Sequence, residues 1–158
     1  MKRYFIITII YFVCGFTSFA QISESNHLKI ANQAVINWLN NLNEANYSMC
    51  YEELSFELKN KTDSIEIIYM LESEVKSFGK FLGRKERSRQ FASNPIEFDD
   101  RLSNYPDGYY AVFVFESIYE NWELVNGHGT ETVFLHQDYK SRWRILDWIT
   151  DFQTSGEE

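Results

Sequence analysis

The sequence predicts an α+β domain, with N-terminal helices packed on a curved antiparallel sheet of about four strands. Three observations carry this. Apolar residues recur at three- and four-residue steps as far as Phe78; after Gly83 they alternate instead; and turn residues break the second half at intervals that suit a meander.

Residues 1–20 read as a removable export signal. Met1-Lys2-Arg3 supplies the positive start, Tyr4 to Phe16 an apolar run too short to span and anchor comfortably, and Thr17-Ser18-Phe19-Ala20 the small-residue finish. Cleavage is expected between Ala20 and Gln21. Cys14 leaves with the signal, and the bulky Tyr11-Phe12-Val13 ahead of it does not suit a lipoprotein site, so a soluble product is expected. The expected division is a signal at 1–20, one α+β domain at 21–150 and a flexible tail at 151–158.

From Asn26 to Leu42 the residues Ile30, Ala31, Ala34, Val35, Trp38, Leu39 and Leu42 share one helical face. Asn46 can cap a short helix over Tyr47 to Leu54. Asp63-Ser64-Ile65-Glu66 opens a third helix with a capping residue and a carboxylate three positions on. That helix carries Ile67, Ile68, Leu71, Val75 and Phe78 inward and stops near Gly79.

Four strands follow, at Arg84 to Phe91, Tyr109 to Tyr119, Thr130 to Gln137 and Arg142 to Ile149. The first is rich in arginine and polar residues, as an edge strand or a solvated one would be. The second is apolar on both faces: Tyr109, Ala111, Phe113 and Phe115 point one way, Tyr110, Val112 and Val114 the other. Both faces therefore need a cover. The helices supply one; a second copy of the chain, or a sheet curled around an apolar cavity, would supply the other.

Of 158 residues, 138 remain after the signal, enough for one substantial core. Lys2 and Arg3 are two of the 15 basic residues; without them 13 stand against 23 acidic ones, a net charge of −10. That balance disfavours a nucleic-acid or anionic-membrane surface as partner and fits solubility through net charge, or a basic protein partner. Only Cys50 remains after processing, so no internal disulfide can form. A small buried residue is the simplest reading of Cys50.

No motif carries a cofactor. His27, His128 and His136 share no ligand register with one another or with Cys50, so no metal site is expected. There is neither a nucleophile elbow nor a glycine-rich phosphate loop. Acid-base chemistry is the remaining catalytic idea, because a carboxylate walled by aromatics has its pKa raised toward neutrality. The candidates are Asp147, read as sharing a strand face with Ile145 and Ile149, and Glu131, sharing a face with Val133 and Leu135. Against this, Arg84, Arg87, Arg89, Arg142 and Arg144 are all available to neutralise either one. Arg89 and Trp143 are the candidate ligand-binding side chains.

The chain resembles a known exported bacterial family, domain of unknown function four-thousand-nineteen, from about Ala31 to Ile149. The residues that carry the resemblance are Ala31-Asn32-Gln33-Ala34 with Trp38-Leu39, then Tyr47, and Phe81-Leu82-Gly83-Arg84 with Ser88-Arg89. Pro106-Asp107-Gly108-Tyr109, Glu131-Thr132 and Trp143-Arg144-Ile145 complete it. Met49-Cys50 stands where a tryptophan is expected, and the last hairpin lacks Asp-Gly. The resemblance implies export and the α+β fold and brings no known activity, substrate or catalytic residue with it; the order of elements resembles nuclear-transport-factor-like and cystatin-like folds, which often keep a conical pocket. Two functions follow as expectations. One is a non-catalytic exported binding module for a small apolar ligand or a protein partner, with a homodimer as a further candidate assembly; the other is a cofactor-free isomerase or dehydratase using Asp147 or Glu131.

Overall fold

The structure, a computed structural model, describes residues 24–98, 105–123 and 127–154. The expected export signal lies outside them. Helix α1 covers residues 24–43 and buries Ala31, Val35, Trp38, Leu39 and Leu42, a spacing that keeps one stripe against the sheet. Ile30, expected on that stripe, is exposed, because the buried phase starts one residue later.

Helix α1 ends in a paired C-terminal motif: Asn46 N–H donates to Asn41 O and Ala45 N–H to Leu42 O, with Ala45 at φ 60°. Helix α2 spans Tyr47–Glu52, shorter than expected. Asn46 precedes it without a side-chain cap, donating instead to Glu44. Leu54 has left the helix to form a parallel bridge with Ile145. Helix α3, Phe56–Lys59, was not expected; Ser55 caps it by accepting from Leu58 N–H. Helix α4, Ser64–Phe78, starts as predicted at Asp63, whose carboxylate accepts from Ile65 N–H, and ends at Gly79 with φ 77°.

The sheet is antiparallel in the order β1-β2-β3-β4, with β1 at Phe81–Ala92, β2 at Tyr110–Tyr119, β3 at Gly127–Gln137 and β4 at Trp143–Thr154. This is the α+β architecture expected, with β1 on an edge. Strands β1, β3 and β4 run longer than the sequence suggested while β2 starts one residue later, and Asp151 to Thr154 belong to β4 rather than to a tail. A short helix α5, Glu120–Glu123, also unexpected, lays Trp122 flat over Gly129. Any side chain at Gly129 would enter that ring.

Ala111, Phe113, Phe115, Val133, Leu135 and Ile145 face the helices in one core with Trp38, Leu71 and Cys50. Tyr110, Val112, Phe134 and Leu146 face the other way, where Phe98 and Tyr105 of the β1–β2 connection pack on them. The second cover is thus a loop of the same chain. Among the described residues, no helix is long and apolar enough to cross a membrane.

Because a non-glycine residue at positive φ costs roughly 1 kcal/mol or more, Ala45→Gly should stabilise the fold by about 1 kcal/mol. A urea titration should show a higher midpoint at unchanged slope; an unchanged or lower midpoint would contradict the reading of this turn.

Candidate functional site

Glu131 occupies the inner face of the sheet and is 0% exposed. Its Oε2 receives Arg84 Nε at 2.6 Å, Arg84 NH2 at 2.5 Å and the Ser117 hydroxyl. Its Oε1 accepts from the Tyr119 hydroxyl and from Trp148 Nε1, both at 3.2 Å. The Arg84 side chain is 8% exposed and lies over the Phe81 ring at 4.6 Å. Burial first, then the negative charge of Glu131, pushes the Tyr119 phenol well above its usual range. Five donors on two oxygens leave this carboxylate little acceptor capacity for anything else.

Asp147 is placed differently from expectation. A bulge between Phe134 and Leu135 makes Leu146 the extra residue, so that Asp147 pairs with Phe134 on the outer face while Ile145 faces inward. Asp147 shares its face with Ile149 but not with Ile145. Its Oδ1 accepts from Trp148 N–H at 2.9 Å. Glu131 and Asp147 therefore sit on opposite sides of the sheet.

Arg89 forms a bidentate pair with Glu86, both contacts 2.6 Å, and stacks over Phe113 at 5.4 Å. Trp143 is buried edge-on against His27, with ring centroids 6.2 Å apart, and its Nε1 has no partner among the described residues. Arg89 and Trp143 belong to different edge strands. Cys50 is buried, tied to Trp38 by the indole Nε1 donating to its carbonyl at 3.1 Å, and burial pushes its thiol up to about 12.

The interior between α1, α4 and the sheet is filled by Trp38, Leu71, Phe113 and Trp148, with Trp38 and Trp148 edge-to-face at 5.7 Å. Open space lies elsewhere: a groove of about 620 Å³ between the α2–α3 segment and the end of the β3–β4 hairpin. Glu52, Phe56, Glu57 and Lys59 form one wall; His136, Asp138, Tyr139, Arg142 and Arg144 form the other. Sequence reasoning missed it because its two walls are some eighty residues apart along the chain.

Asp138 organises the hairpin wall. Its Oδ1 accepts from Lys140 N–H at 2.8 Å and Arg142 N–H at 3.0 Å, and its Oδ2 receives Arg142 Nε at 3.0 Å. Burial would raise its pKa, but the two backbone donors and the Arg142 guanidinium outweigh it, and the net direction is down. Arg144 spans the groove floor from Asp138, at 3.4 Å, to Glu53, at 2.9 Å. His136 stacks on Tyr110 with centroids 4.6 Å apart, its Nδ1 3.8 Å from Glu57. Among the described residues no group of three His, Cys, Asp or Glu side chains is placed to hold a metal.

Two predictions follow from burial. Arg84→Met leaves Glu131 buried without its cation and should cost about 3–5 kcal/mol, whereas Arg84→Met with Glu131→Leu should recover most of that loss. Additive losses in a denaturant-derived double-mutant cycle would contradict the pairing. Native protein at pH 8 should resist iodoacetamide at Cys50 and react only once unfolded in guanidinium; rapid native labelling would contradict its placement.

The profile of a family described as "Protein of unknown function (DUF4019)" matches residues 34–148. No curated protein and no solved structure matches the chain significantly. The match covers both walls of the groove, the Arg84–Glu131 pair and most of the sheet, and the chain belongs to the DUF4019 family.

Proposed function

We propose that this is an exported, non-catalytic binding module of nuclear-transport-factor-like or cystatin-like build, which engages a segment of a protein partner in the groove between α2–α3 and the β3–β4 hairpin. Export is supported by the positively charged, apolar and small-residue order of residues 1–20. The observation that carries the binding reading is the location of free space. The inner face of the sheet, where such folds keep a ligand, is occupied by Trp38, Trp148 and the Arg84–Glu131 cluster, while the groove is open.

Seven of the eleven residues lining the groove carry a carboxyl, ammonium, guanidinium or imidazole group. Desolvating such a lining for an apolar molecule is unfavourable, whereas a polar polypeptide can replace the water it displaces. A protein partner fits better than a small apolar ligand. The isomerase alternative gains no support: Glu131 has Arg84 against it, and Asp147 is engaged with the backbone of β4.

The test is site-specific photo-crosslinking in the producing cell, with p-benzoylphenylalanine at exposed Tyr139 and, as control, at exposed Tyr69 on α4. A discrete protein adduct at position 139 and none at 69 is expected. No adduct, or the same adducts at both positions, overturns the reading. Saturable enhancement of anilinonaphthalene sulfonate fluorescence by the folded protein would instead favour the apolar-ligand form.

A further inference from the structure

We propose that the groove is a receptor for a cationic side chain, so that the partner segment places an arginine or lysine between Phe56 and Tyr139 with its charge on Glu57. The inference rests on the groove being the working surface and goes further by assigning the chemistry of what enters it.

The assignment comes from matching the charges that line the groove. Arg144 is held by Glu53 and Asp138, Arg142 by Asp138 at 3.0 Å, and Lys59 by Glu52 at 3.7 Å and by the Glu52 carbonyl at 3.0 Å. Every full cation of the lining is therefore already engaged. Glu57 is the carboxylate left over. Its side chain is 27% exposed, and its partner among the described residues is His136 Nδ1 at 3.8 Å, beyond hydrogen-bond length. Burial pushes the His136 imidazole below its usual pKa against the opposing pull of Glu57 and Asp138, which disfavours the imidazolium form as a counter-charge.

Lys61 feels Glu57 only at longer range, and a partly desolvated carboxylate with no lysine or arginine in direct contact gains more from an incoming positive group than a solvated one does. An anionic ligand would meet Glu57 directly, and the cations of the lining itself are already engaged; the rim lysine, Lys140, lies over the Tyr139 ring at 5.3 Å. The two rims add a second element of recognition. Phe56 is 73% and Tyr139 89% exposed, on opposite walls, and aromatic faces attract ammonium and guanidinium groups. The surplus of acidic residues over the whole chain steers such a partner toward it.

The experiment is an amide NMR titration of the folded protein with acetyl-Gly-Arg-Gly-Arg-Gly-amide and with the same peptide carrying glutamate for arginine. The arginine peptide should shift signals of residues 52–59 and 136–144, and the glutamate peptide should not. Glu57→Gln, with an otherwise native spectrum, should bind the arginine peptide about tenfold more weakly, the value of one charged hydrogen bond. Phe56→Ser provides an independent variant, with a smaller loss expected. Preference for the glutamate peptide, unchanged affinity in Glu57→Gln, or no groove shifts with the arginine peptide overturns the inference. If the Tyr139 crosslink persists in that last case, the groove remains the working surface with a different ligand; if it is also absent, both readings fall together.

Discussion

The buried pair of Arg84 and Glu131 is the constraint around which the sheet is built. Arg84 comes from β1, Ser117 and Tyr119 from β2, Glu131 from β3 and Trp148 from β4, so one carboxylate draws a donor from every other strand. Tyr119 also lies 3.3 Å from Asn43 Oδ1 on α1, which joins the helical layer to the cluster. Burying both charges costs several kcal/mol per ion, and only full hydrogen bonding offsets it. A slip of one residue in any strand would send a member of this set to the opposite face, so the cluster selects one register among those the apolar alternation would tolerate.

The same cluster decides where function can sit. It fills the inner face at one end of the sheet with fixed charge, and Trp38 and Trp148 fill the space beside it. A catalytic carboxylate needs room for a substrate beside it, and around Glu131 that space is taken by five donors. His136 lies five residues further along β3, roughly 17 Å at the usual rise per residue. The groove is thus remote from the polar core, and altering its walls leaves the register-setting contacts untouched.

Helices α1 and α4 were legible in the sequence because each presents a long apolar stripe and α4 carries a capping aspartate, signals that need no partner to be read. The meander followed from alternation and turn residues, and the arginines of β1 marked it as an edge or solvated strand, of which the structure selects the edge. Glu131 was singled out correctly as facing inward with Val133 and Leu135, yet which of five arginines would meet it depended on the pairing of β1 with β2, which no local pattern specifies. Asp147 was misplaced for a definite reason: counting by twos fails across a bulge, and Leu146 gives no composition cue that it is the extra residue. Helices α3 and α5 are four residues each, too short to show a period.

The groove was illegible because it is created by a tertiary contact of minimal size. Ser55 N–H donates to Ile145 O at 2.7 Å and Ile145 N–H to Glu53 O at 3.0 Å, a single parallel bridge that pins the α2–α3 junction to the outer edge of β4. On either side of it the helices and the hairpin diverge, and the gap between them is the groove. The bridge occupies the outward backbone groups of Ile145, and three residues on the Asp147 carboxylate accepts from Trp148 N–H. This stretch of edge is therefore closed to strand addition. What the groove offers is therefore side chains, and among the described residues Glu57 is the charged one of its lining with no lysine or arginine in salt-bridge contact.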